Sequence, residues 1–117
     1  MTLEIKINPK PKPRMTKRSS YRYTSYWNYK TEINRLVGNY PIDLNGIIGV
    51  SFIMPMPKSW SKTKKLEMDG KPHQQKPDLD NLIKAVKDCL LIEDSHVWKY
   101  DPPPEKVWGR VGMIVFN

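Results

Sequence analysis

Cysteine is almost missing from this chain of 117 residues: Cys89 stands alone. No internal disulfide can form, and a cysteine-rich zinc site is excluded. Histidine is scarce as well. His73 and His96 cannot complete a four-ligand structural zinc site with one cysteine. No apolar run approaches the ~18 residues needed to span a bilayer. The opening residues hold no apolar signal core, because Lys6, Lys10, Lys12 and Arg14 interrupt it. These absences lead to the expectation of a soluble, intracellular, cytoplasmic protein with no membrane partner.

What is present is charge, and it is uneven. Lys and Arg number 20 against 12 Asp and Glu, a net charge of +8. Such a balance points to a polyanionic partner, nucleic acid before an acidic membrane surface. Residues 78–105 hold seven acids and three bases, so this stretch is −4 and the remainder +12. Two readings fit: a solvated acidic face that balances the rest, or a cation site inside a polyanion-binding surface. With 38% hydrophobic residues, four Trp and six Tyr, the chain can bury a core.

The hydropathy pattern predicts one α/β (α+β) domain over 1–117. It has a mixed sheet, two main helices and a short lysine-rich helix. Leu3, Ile5 and Ile7 alternate with polar residues, as in a half-buried strand. From Lys6 to Arg22 there are seven basic residues and no acid, with Tyr21, Tyr23 and Tyr26 close by. That basic loop suits phosphate contact beside stacking aromatics, or equally a solvated loop anchored by tyrosines. A helix is expected over 25–37, with Gly38 as its stop, and a central strand over 47–54. Residues 58–76 carry six lysines, and Ser59 could cap a short helix there. Leu82, Ala85, Val86, Cys89 and Leu90 form one apolar stripe of a helix over 80–91, which makes Cys89 a core residue. A short strand within 94–100 and a final strand over 106–116 complete the order.

Asp78 and Asp80 bracket Leu79 just before that helix. In an extended segment the two carboxylates would point the same way. Asp94 lies fourteen residues past Asp80, beyond the far end of the helix. It returns to the pair only if the chain runs back, or if two chains share the site. Converging carboxylates need a cation, and Mg²⁺ takes oxygen ligands of this kind. Lys84, four residues past Asp80, could orient it or contact a phosphate. The plainer reading is helix capping with an i,i+4 ion pair.

Read whole, the segment is more specific. Residues 73–90 read HQQKPDLDNLIKAVKDCL, followed by EDSHV at 93–97, with PRMT at 13–16 and MPKSWS at 56–61. This series closely resembles the RusA family of Holliday junction resolvases, in its phage-type members. The family pattern is a K/R-P-D-x-D-N-L-x-K-A helix start followed by an acidic turn. The resemblance implies a small homodimeric nuclease that nicks four-way DNA junctions in two strands of like polarity, in recombination and repair. It implies Asp78, Asp80 and Asp94 as catalytic metal ligands and Lys84 as the essential lysine. The ion would be Mg²⁺, or Mn²⁺ in its place, with no small-molecule cofactor. Arg14, Lys17, Arg18, Lys58, Lys62, Lys65, His73 and Lys76 are the DNA-contact candidates. Leu90 to Ile92 form a shorter turn than the Gly-containing loop many members carry. The competing functions are a nuclease for flaps or forks and a nonenzymatic nucleic-acid-binding module.

Overall fold

The computed structural model describes residues 2–13, 20–42 and 45–117. Nine elements follow in order: β1 (Leu3–Lys6), α1 (Ser20–Val37), β2 (Ile47–Ile48), β3 (Val50–Pro55), α2 (Lys62–Met68), α3 (Leu79–Cys89), β4 (Lys99–Tyr100), β5 (Lys106–Gly109) and β6 (Met113–Phe116). The fold is α+β, as the pattern predicted. A four-stranded mixed sheet runs β1-β6-β3-β5, and β2 and β4 form a small parallel pair.

The sheet follows from its side chains. In β3, Val50, Phe52 and Met54 are buried while Ser51, Ile53 and Pro55 are half-covered, the alternation of a strand with one face on the core. β3 pairs antiparallel with β6, Phe52 opposite Ile114, and parallel with β5, Ile53 opposite Val107. The expected strand over 106–116 is therefore two strands. The chain leaves β5 at Gly109, crosses the end of β3 and returns as β6 on its other side. The expected strand over 47–54 is likewise divided. A side chain at Gly49 would come within 2.7 Å of the Asp101 carbonyl oxygen, so the chain passes this crowded point only as glycine.

α1 begins at Ser20, five residues before the expected start, and takes in Tyr21, Arg22 and Tyr23. No Pro or Gly lies in that stretch to stop the helix from extending. Tyr26, Tyr29, Ile33 and Val37 are buried, at helical spacing. Gly38 closes the helix at φ +56°, its N–H donating to the Asn34 carbonyl. α3 buries Leu82, Ile83, Ala85, Val86 and Cys89, and these share one core with Phe52, Ile114 and Phe116. Cys89 is fully buried, the core residue it was expected to be. Ile33 is also fully buried. Ile33→Ala is expected to cost about 2–5 kcal/mol, read from the midpoint of urea unfolding at unchanged slope.

Candidate active site

Asp78 occupies the N-cap position of α3 in extended conformation, and its carboxylate makes no capping hydrogen bond. Asp80 is already in the first helical turn, where a carboxylate favours the positive end of the helix dipole. The two acids are therefore not alternate residues of one extended segment; they take the helix-start positions of the plainer reading, without the side-chain cap. Both are exposed at the mouth of the helix, while Leu79 packs against the core. The loop that delivers them is tied down. His73 N–H donates to the Lys106 carbonyl at 2.9 Å, and Lys106 Nζ donates to the carbonyls of Gln75 and Pro77 at 2.6 Å each. The last of these carbonyls belongs to the residue just before Asp78.

The other end of α3 carries Asp94. Leu91 turns the chain at φ 57°, and Ile92 N–H donates back to the Lys87 carbonyl at 2.9 Å. Asp94 then sits on an exposed turn, with Lys87 Nζ 3.0 Å from its Oδ1. The Lys87 ammonium also lies 5.8 Å from the centre of the Tyr100 ring. Burial works to lower its pKa, but Tyr100 and Asp94 outweigh this and hold it above the usual lysine value.

A polar cavity of about 230 Å³ opens beside this turn, lined by Lys12, Lys84, Asp88, Ile92, Glu93 and Asp94. Lys84 and Asp94, marked in the sequence, thus face one space. Asp88 accepts from the Tyr26 hydroxyl at 2.8 Å and pairs with Lys12 at 3.3 Å. Partial burial works to raise its pKa, but the Tyr26 and Lys12 contacts prevail and hold it below the ordinary aspartate value. Sequence reasoning left Lys12, Lys87 and Asp88 out of the site. For Asp88 and Lys84 a signal existed: with Asp80 they recur every four residues along one face of α3.

The three expected metal ligands are not assembled by one chain. Among the described residues no group of three His, Cys, Asp or Glu is arranged to hold a metal ion. Asp78 and Asp80 stand at the start of α3 and Asp94 past its end. Asp80 lies in the first turn, so nine helical residues follow it before α3 ends at Cys89, a rise of about 14 Å along the helix. The described residues of one chain thus show no ion site made of all three.

The DNA-contact candidates divide. His73 is 6% exposed and packs on Trp108 with ring centres 4.2 Å apart, which leaves little of its side chain on the surface to meet DNA. Desolvation, with Lys106 nearby, lowers its pKa. Arg14, Lys17 and Arg18 lie outside the described residues. Lys58, Lys62 and Lys76 are exposed and Lys65 is half-buried. α2 buries none of its residues, and its cap is Ser61, which accepts from Lys64 N–H, in place of the expected Ser59. Trp60 ties this lysine-rich region to the body through Trp108, 4.8 Å between ring centres, with Lys64 Nζ 4.4 Å above the Trp60 ring. No described helix is long and apolar enough to cross a membrane.

Residues 4–103 match the family model described as Endodeoxyribonuclease RusA. No curated protein matches the chain.

Proposed function

Because the chain belongs to the RusA family of endodeoxyribonucleases, whose activity implies resolution of Holliday junctions in recombination, we propose that it cuts four-way DNA as a metal-dependent homodimer. Asp78, Asp80 and Asp94 supply oxygen ligands, and Lys84 contacts the phosphate to be cut. Carboxylate oxygens of this kind suit Mg²⁺, with Mn²⁺ able to replace it. Arg14, Lys17, Arg18, Lys58, Lys62, Lys65 and Lys76 grip the arms. The observation that carries the reading is the polar cavity where Lys84 and Asp94 meet at the edge of a strongly basic chain.

A second copy completes the acid set. Asp78 and Asp80 of one protomer join Asp94 of its partner, which bypasses the helix that stands between them within one chain. Leu91, 82% exposed, and Trp98, 69% exposed, flank the Asp94 turn. Apolar surface of that kind supports a covering partner. A two-fold dimer also matches the near two-fold symmetry of a junction, so paired sites would make paired nicks.

The test is an end-labelled synthetic four-way junction incubated with the protein and Mg²⁺, beside an EDTA control, a fork and a plain duplex. Paired symmetric nicks on the junction alone are expected. Equal cutting of the fork would turn the reading toward a general branched-DNA nuclease, and full activity in EDTA would remove the metal. Junction binding is expected to be steeply salt-dependent. With six or more phosphate contacts, affinity should fall about 10³-fold or more between about 50 and 200 mM salt, measured by fluorescence anisotropy in EDTA.

A further inference from the structure

Lys87 lies outside the residues that the sequence marks, yet its surroundings separate it from Lys84 on the same helix. Lys84 is exposed, whereas the Lys87 side chain is 13% exposed. Its ammonium is 3.0 Å from Asp94 Oδ1 and packs toward Tyr100, and its own carbonyl accepts the Ile92 N–H. The turn that carries Asp94 is thus tied twice to one residue of α3. Asp94 makes no other ion pair among the described residues, and its side chain is 80% exposed.

We propose that Lys87 is a positioning residue for the cleavage reaction: its ammonium fixes one carboxylate oxygen of Asp94 and leaves the other to the cavity shared with Lys84. The inference rests on the reading of Asp94 as a catalytic acid. An exposed aspartate on a turn samples several rotamers, and selecting one at the moment of reaction costs entropy. Lys87 has met that cost in advance, because its side chain is largely buried and its ammonium already lies beside the Tyr100 ring. Partners that orient an acidic ligand from behind are typically worth about 10–100-fold in activity. Lysine suits the task because it engages one oxygen as a point donor.

The test compares K87M, K87C and D94N under single turnover at saturating protein, with junction affinity and thermal melting measured alongside. K87M and K87C are expected to cut about 10–100-fold more slowly, with junction affinity and melting temperature close to those of the unaltered protein. Treating folded K87C with 2-bromoethylamine installs an ammonium at nearly the lysine length, and it should restore most of the lost rate. Cys89 is fully buried and is spared by the reagent. A merely structural role would not be rescued in this way. K87M at full rate beside an inactive D94N would overturn the inference and leave the Asp94 reading standing. So would a slow K87C that aminoethylation does not revive. D94N at full rate would overturn the reading itself. Should K87M fail to fold, K87C before and after alkylation decides by the same criteria.

Discussion

Asp80→Asn is expected to lower junction cleavage by about 10³-fold or more, because a charge-stabilising centre worth several kcal/mol is lost and each ~1.4 kcal/mol is a factor of ten. The fold should tolerate the change. Asp80 is exposed in the first turn of α3 and forms none of its buried stripe. Its favourable interaction with the helix dipole is worth about 0.3–1 kcal/mol, a modest shift in a thermal melt. Junction binding should hold steady or tighten, since one negative charge facing a polyanion is removed. Single-turnover rates at saturating protein, with anisotropy run separately, divide the two effects. A variant that binds, melts normally and cuts at the original rate would remove Asp80 from the chemistry.

Much of the scaffold for that result was legible in the sequence, and for local reasons. The stripe Leu82, Ala85, Val86 and Cys89 is buried as its spacing required, and Gly38 ends α1 where a positive φ was needed. These features depend on the chain a few residues either way. The departures depend on distant parts of the chain. The sequence marks His73 as a DNA-contact candidate, and only the Trp108 ring from β5, brought beside it, buries it. The 106–116 segment reads as one apolar run, but β3 separates its two halves, and pairing on both sides of β3 is a property of the sheet. Lys87 reads as solvent-facing beside Lys84. Its partners Asp94 and Tyr100 arrive from a turn and a strand whose direction no helical period encodes. The acids themselves are marked by motif. Spacing also places two of them at the start of α3 and one past its end; what it cannot supply is the course of the turn after Leu91, which brings Asp94 to Lys87.

That distribution makes an equal mixture of two inactive variants a sharper experiment than either variant alone. D80N and D94N homodimers are each expected to be inactive, because every site in them lacks one acid. Co-refolded together, half of the dimers are heterodimers on random pairing. If each site takes Asp78 and Asp80 from one protomer and Asp94 from the other, a heterodimer has one site with both lesions and one with none. Cleavage should then reappear from zero, and it should appear as single nicks, since the second site of the same dimer is dead. A site built within one chain gives the opposite result. Each protomer of the heterodimer would keep its own lesion, and no combination of them would cut. The single-chain geometry favours recovery, because no three carboxylates of the described residues are gathered to hold an ion. A linked dimer carrying D80N in one copy and D94N in the other fixes the pairing and removes the statistical factor. The reverse linkage, with both substitutions in one copy and none in the other, completes the logic. Under the shared arrangement it lacks Asp80 at one site and Asp94 at the other and should be inert, whereas a site within one chain would leave it one working centre.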